Sequence, residues 1–518
     1  VAIIFGRCER PEGACLHAEV LSVGEMFRDK RFACLREAPP PEALRRAGAS
    51  AKAGHAGVAI SLFPASPEIA SVALLPRNDM TTPFPKGGGE TLREGTESME
   101  KTIVLVSTLD TKGSEAAFLK DLIQKRGHRV ILIDTNTGGE PSIHPDISAK
   151  EVAKAGGEKI EEIKKMKDTG KASTMMIKGA IKKVKRLLEK GELDGIVSFG
   201  GASNTAIATA IMKSLPFGIP KVMLSSTAAM PAYAGGYFGT KDIAMIHSVV
   251  DIAGLNPLVE DLLNRAAGAI CGMVEMRGSP ESLSRSFQEK NLIALTEFKF
   301  SEECCSHIRR LLEDRGFEVI PFHAQGTGDR AMEELIGDGL FQGVMDIVPA
   351  GVGEELLGGN RAAGANRLES AGKKGIPQLI TPCGFDMLSC GPMERGDRGD
   401  PLWVSKDIKN RKLFIPDAFR VQARTTSQEL REIAREVGRK LNQSKGPVVI
   451  LIPLKGWSSL DKKGMPFYDP EADQAFLNEL KSHLNPAISL MELNLHLNTR
   501  EFAEEAVNQF MKLYKREP

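Results

Sequence analysis

The sequence lacks a net charge of either sign: 68 Lys and Arg stand against 67 Asp and Glu, a formal balance of +1. No bulk field therefore draws nucleic acid or an acidic membrane surface, and neither is expected as a partner. Basic runs such as Lys178 to Arg186 carry apolar residues at helical spacing, the pattern of a solvated helix face. The 8 cysteines form no CxxC pair and no zinc-like spacing with histidine. Cys304 and Cys305 are adjacent, so on a helix they point in different directions and make a poor metal site. No apolar run is long enough to span a bilayer and no signal-peptide pattern opens the sequence, so the expectation is a cytoplasmic chain with reduced thiols. Nucleotide signatures are missing too. There is no GxxxxGK followed by Ser or Thr, no GxGxxG after the first strand and no kinase set, which sets aside P-loop NTPases, ordinary NAD enzymes and kinases.

What is present is enough apolar residue, 42% of 518, for two or three packed domains. Residues 1–98 show no sustained helical or strand period, and their apolar runs VAIIF and GVAISLF are isolated. They read as a disordered extension, or as sequence upstream of a natural start at Met99; a short appended domain is the competing reading. From Lys101 the pattern alternates. TIVLVST is a buried parallel-type strand, DTKGSEAAFLKDLIQKRG an amphipathic helix ending at Gly127, and HRVILIDTNT the next strand, which together make a βαβ unit. Residues 140–193 are mostly helical and charged, and DGIVSFGG and IPKVMLSST supply two more strands.

The second part repeats the first. IVLVSTLDTKG at Ile103 aligns with LIALTEFKFSE at Leu292, and the same offset places Gly127 on Gly316 and VILID on VIPFH. DGIVSFGG then matches QGVMDIVP, and GIPKVML matches GIPQLIT. The fold expected is α/β: two related Rossmann-like, doubly wound halves with parallel sheets, spanning 99–278 and 279–518. EADQAFLNELKSHL and TREFAEEAVNQFMKLYKR read as terminal helices, and the last is expected to pack back on one of the halves.

In such sheets ligands lie at the carboxyl ends of the strands. In the first half those ends are Thr108, Asp110, Thr111, Lys112 and Gly113; Asp134 and Thr137; Gly200, Gly201, Ala202, Ser203, Asn204 and Thr205; and Ser226 and Thr227. Hydroxyls and glycine amides suit phosphate oxygens, Lys112 is a point charge for a phosphate, Asp110 a magnesium ligand, and Asp134 an acceptor for ribose hydroxyls. Two successive glycines before a helix leave its first amides open to an anion, although Ser203 or Asn204 would cap that helix with no ligand present. Asp110 has the same double reading, metal ligand or helix cap. The second half offers Glu297, His323, Asp346, Glu354, Glu355, Cys383 and Asp386. Of these, His323, Glu354 and Asp386 are the candidates for acid/base or metal chemistry, against a plain structural role for a histidine after a strand. The run PLKGWSSLDKKGMPFYDPEAD, with Lys455, Gly456, Ser458, Ser459 and Asp461, is either a loop that closes over a ligand or a surface loop ordered by Trp457, Phe467 and Tyr468.

STLDTKG, FGGASNTAIATAIMKSLPFGIPKVMLSSTA, GTKDIAMIHSVVDIAGLN, FHAQGTGDRAME and PLKGWSSLDKKGMPFYDPEAD occur in that order. By them the chain resembles the uncharacterised family that includes the ATP-binding amino-terminal region of the tomato mosaic virus resistance protein, the Tm-1-like ATP-binding domain family. The resemblance implies two Rossmann-like subdomains with ATP and magnesium on the first, and nucleotide contacts at Asp110 to Gly113 and Gly200 to Thr205. The expectation is an ATP- and magnesium-binding protein with a second ligand or partner at the cleft between halves. Two alternatives stand beside it: an ATP-dependent enzyme acting on a small carboxylate or sugar acid, and a nucleotide-regulated interaction module. A homodimer is a further expectation, should the second half expose an apolar face.

Overall fold

The computed structural model describes residues 2–8, 15–21, 100–277 and 290–515. The chain divides into two units, Val1–Gly95 and Thr96–Pro518. In the first unit, Ala2–Cys8 pairs antiparallel with Cys15–Leu21. The expectation of disorder for the remainder of 1–98 falls outside the described residues.

The second unit holds both halves. In the first half, five strands lie parallel in the order Arg129–Asp134, Thr102–Ser107, Gly195–Gly200, Lys221–Ser225, Ala244–His247. The central strands are apolar on both faces because helices cover both. Val104 and Val106 enter one core with Ile131, Ile133 and Met176, while Ile103 and Leu105 enter the other with Val130, Leu132, Leu263 and Ile270. Alternate residues thus serve opposite cores, as the pleat requires. The charged stretch after Asp134 forms helices Ala149–Gly156, Ile160–Lys165 and Thr169–Glu189. The edge strand Ala244–His247 was not anticipated; it is four residues long and half exposed.

The second half repeats this plan with six parallel strands, in the order Ser489–Leu493, Val448–Pro453, Gln378–Ile380, Gly343–Asp346, Leu292–Glu297, Glu318–His323. The repeat seen in the sequence is therefore a repeat of strand order. A small antiparallel sheet, Met387–Ser389, Arg420–Arg424 and Leu413–Asp417, is added beside it. The last helix, Arg500–Tyr514, returns to this half and buries Phe502, Ala506 and Phe510 in its core.

In both sheets the chain leaves the first strand to one side and then crosses to the other. The crossing puts a switch point between Thr102–Ser107 and Gly195–Gly200 in the first half, the place where ligands lie in sheets of this kind. Among the described residues no helix is long and apolar enough to cross a membrane.

Candidate functional site

The loop after Thr102–Ser107 is tied down by its neighbours. Buried Asp134 accepts from the amides of Leu109 at 3.1 Å and Asn136 at 3.0 Å, and from the Asn136 side chain at 2.7 Å. Burial raises its pKa against those donors, and the nearby Asp110 charge pushes the same way. Both oxygens of Asp134, the residue expected at a ribose, accept from protein donors, Oδ2 from Asn136 alone. Asp110 accepts the Gly139 amide at 3.1 Å and so joins this loop to the one carrying Thr137. A Cβ on Gly138 would meet the Asp110 carboxylate at 2.6 Å, so a side chain there would have to displace that carboxylate from the Gly139 amide. The helix Gly113–Lys125 begins after Lys112 with no side-chain cap, so Asp110 is not its cap. The Lys112 ammonium donates to the Ile252 carbonyl and lies 3.9 Å from Glu115. Thr108 and Thr111 stand with their hydroxyls 3.4 Å apart at the surface.

Across the switch point, Gly200 has φ +150°, and a Cβ there would come within 2.9 Å of the Asn204 Cβ. Helix Ala202–Lys213 follows with Gly201 as its N-cap and no side-chain cap. Ser203 is exposed, and Asn204 turns its amide back toward the Phe199 carbonyl and to Ser198 Oγ at 3.3 Å. Neither caps the helix, so that expectation is corrected: Asn204 braces the turn from below. Among the described residues, no hydrogen bond reaches the amides of Ala202, Ser203 and Asn204, and the Asn204 Oδ1 is buried without a partner. Thr205 donates to the Gly201 carbonyl at 2.8 Å and lies 2.7 Å from Ser225 Oγ, locking the helix start to the next strand. Ser225 also receives the Thr227 amide at 3.1 Å, and Thr227 Oγ1 is 3.0 Å from the Tyr237 hydroxyl.

A cavity of about 490 Å³ runs along this helix from Ala202 and Ser203 to Lys213, walled opposite by Tyr233, Gly236 and Tyr237. It abuts a second of about 650 Å³ between the halves, lined by Lys213, Lys241, Arg330 and Glu334. Burial and the Arg330 charge hold Lys213 below the usual lysine range. Glu334 accepts from Thr240 at 2.7 Å and Lys241 at 2.8 Å, a direct link between the halves. Sequence reasoning missed Lys213, Tyr233 and Tyr237; the YAGGYF run, tyrosines flanking small residues, was the available signal.

The three second-half candidates are not gathered into one constellation. His323 is exposed at a strand end and lines a cavity with Arg361. Glu354 is buried, accepts the Ser389 amide at 2.9 Å, and is pushed up to about 7 by burial. Asp386 lies in a different buried cluster: it accepts from Ser458 Oγ at 2.7 Å and the Gly384 amide at 3.0 Å, and burial with Asp461 nearby raises it to about 6. Arg424 and Asp473 share that cluster. Glu297 pairs with Arg309 at 2.6 Å, and Glu355 accepts the Gly364 amide at 2.9 Å. Cys383 is buried with its thiol raised. Trp457, Ser458, Asp461 and Phe467 are buried while Lys462 to Pro466 are exposed, so the late glycine-rich run is a loop anchored in the core at both ends by its aromatic residues.

The fold and site define a parallel α/β protein of two Rossmann-like halves, with an open helix N-terminus at the switch point of the first. Residues 101–279 match the N-terminal domain, and 290–514 the C-terminal domain, of the uncharacterised protein family UPF0261, and the chain belongs to that family. It is 42% identical over 406 residues to a UPF0261 protein of Clostridium tetani, a match covering 78% of this chain and 97% of that one. To the ToMV resistance protein Tm-1(GCR237) of Solanum lycopersicum it is 32% identical over 327 residues, 63% of this chain and 42% of the tomato protein. A solved UDP-N-acetylglucosamine 2-epimerase from Rickettsia bellii aligns over 54% of this chain and 78% of its own, with 15% identity and a TM-score of 0.20, too low to carry an argument.

Proposed function

We propose that the first half binds ATP as its magnesium complex at the switch point, in a cytoplasmic protein. One observation carries the reading: the helix Ala202–Lys213 starts without a side-chain cap, so three amides and the positive end of its dipole are left open at the switch point. Phosphates meet those amides. The cavity beyond them has the size and the tyrosine wall to hold a nucleoside. Asp110, half-exposed at the facing loop, is the magnesium ligand, which accords with the one or two carboxylates that this ion takes beside phosphate oxygens. Lys112 reaches a phosphate only by leaving the Ile252 carbonyl, so its contribution is the smaller one.

The cavity between the halves favours a second, anionic ligand there, because Lys213, Lys241 and Arg330 outnumber Glu334. A small carboxylate or sugar acid set against the nucleotide would make the protein an ATP-dependent enzyme, and turnover that appears only when such an acid is added is its signature. Calorimetry with ATP and Mg²⁺ tests the nucleotide site itself. A Cβ on Gly201 meets only Ser226 Oγ, at 3.8 Å, so a side chain has room to start there, and Gly201→Val sets its methyls against the amides. Affinity should fall by about tenfold or more, and unchanged affinity in the folded variant refutes the site.

A further inference from the structure

We propose that the second half carries a separate site for a small organic acid, in a cavity of about 280 Å³ where Arg361 takes the carboxylate and Phe300, Phe414 and Phe419 hold the apolar body. The inference does not depend on nucleotide binding by the first half.

Arg361 is 3% exposed. Its guanidinium lies over the Phe298 ring, 5.7 Å from the centroid, and Nη2 donates to the Gln422 side chain. Two other nitrogens, Nε and Nη1, are buried with no hydrogen-bond partner among the described residues. Nε is 3.6 Å from Glu354 Oε1, near enough to feel its charge but too far for a hydrogen bond. A guanidinium has five N–H groups, and leaving charged donors unpaired in a dry site is costly. Nε and Nη1 lie on different edges of the guanidinium and Nε faces Glu354, so a ligand carboxylate does not bridge the two; it places one oxygen at Nη1, the donor that no acceptor among the described residues approaches. Glu354 supplies only part of the counter-charge, since burial pushes it up to about 7.

The rest of the cavity decides what else the acid carries. Phe298 and Phe300 meet edge to face at 5.2 Å, as do Phe300 and Phe414 at 5.7 Å, which leaves aromatic faces and edges toward the ligand space. Phe419 sits on the turn between Leu413–Asp417 and Arg420–Arg424 and is 79% exposed, an apolar side chain at the cavity mouth. His323 completes the polar side. Arg361 is the buried cation of the lining; Lys299 is exposed and Arg420 is already paired with Asp417, so the inner end among the phenyl rings suits a monoanion with an apolar body over a phosphate dianion.

The test is calorimetric titration of the full chain, without nucleotide, with acetate, benzoate, phenylacetate and inorganic phosphate. Saturable binding of benzoate or phenylacetate, tighter than acetate and phosphate, is expected. Arg361→Gln should weaken it by about tenfold or more. Phe419→Ala, at an exposed position that does not endanger folding, should weaken it by a few fold, and Gly201→Val should leave it unchanged. The proposal is overturned if none of the acids binds the folded chain, if phosphate binds best, or if Phe419→Ala and a folded Arg361→Gln bind like the parent.

Discussion

Arg367 grips Asp346 at two points, Nη1 to Oδ2 at 2.5 Å and Nη2 to Oδ1 at 2.7 Å, with both side chains buried. Asp329 at 3.1 Å and Glu333 at 3.2 Å complete the shell around the same guanidinium. By the internal repeat, Asp346 stands where the first half has Ser198, and Val348-Pro349 stand where it has Gly200-Gly201. The same switch point is thus filled by an internal ion network in one half and left with open amides in the other. That difference assigns the proposed phosphate contacts to the first half.

Replacing Arg367 with methionine leaves three buried carboxylates without their cation. The predicted cost is roughly 3–5 kcal/mol, read as a loss of urea midpoint with little change in slope. Arg367→Lys should recover only part of it, because an ammonium cannot make the two-point pair. A loss below about 1 kcal/mol would mean that the network is solvated.

Glu354 predicts a pH dependence. Its folded pKa is raised from 4.5 to about 7 by burial, so the native state holds its proton more tightly than the unfolded chain does. Stability from this group is full below the unfolded value and declines as pH rises through about 7. Glu354→Gln keeps an acceptor for the Ser389 amide and removes the titration. Its stability relative to the parent should therefore rise between pH 5 and pH 8, by up to roughly 3 kcal/mol. A difference that stays flat with pH contradicts the assignment.

Five thiols, Cys271, Cys304, Cys305, Cys383 and Cys390, are free and buried, and burial raises each, Cys271 to about 11. Brief iodoacetamide treatment followed by peptide mass spectrometry should find these five unmodified in the native protein and modified in urea. Labelling of Cys304 or Cys305 under native conditions would show that the helix Glu302–Glu313 opens readily.

The order of elements was legible in the sequence because buried parallel strands are short apolar runs and the repeat fixes which run pairs with which. The strand-end loops followed from that order alone. Side-chain direction did not: nothing in DTKG says that Lys112 turns to the Ile252 carbonyl, 140 residues away. Nor does the sequence around Asp134 show that Asn136 and Leu109 donate three hydrogen bonds to it. The small antiparallel sheet was hidden because its strands have three to five residues and mix Arg, Gln, Pro and Asp with apolar positions. Arg361 was hidden for a related reason. Its importance comes from Phe298, at the end of a parallel strand, and from Gln422, Phe414 and Phe419, which reach it through that added sheet.

The two glycines of the turn should separate cleanly. Gly200→Ala forces a side chain into φ +150° and against Asn204, so it should cost about 1–3 kcal/mol of stability. Gly201→Ala has extended backbone at φ −83° and open space, and should be close to neutral in stability. Urea unfolding of both variants checks this, and equal losses would contradict the turn geometry.

The most direct measurement is hydrogen exchange at the amides of Ala202, Ser203 and Asn204, followed by NMR with Mg²⁺ and either ATP or adenosine. These amides exchange freely in the ligand-free protein because nothing accepts from them; ATP should slow all three, and adenosine, which has no phosphate, should not. ATP binding that leaves their exchange unchanged would contradict the account.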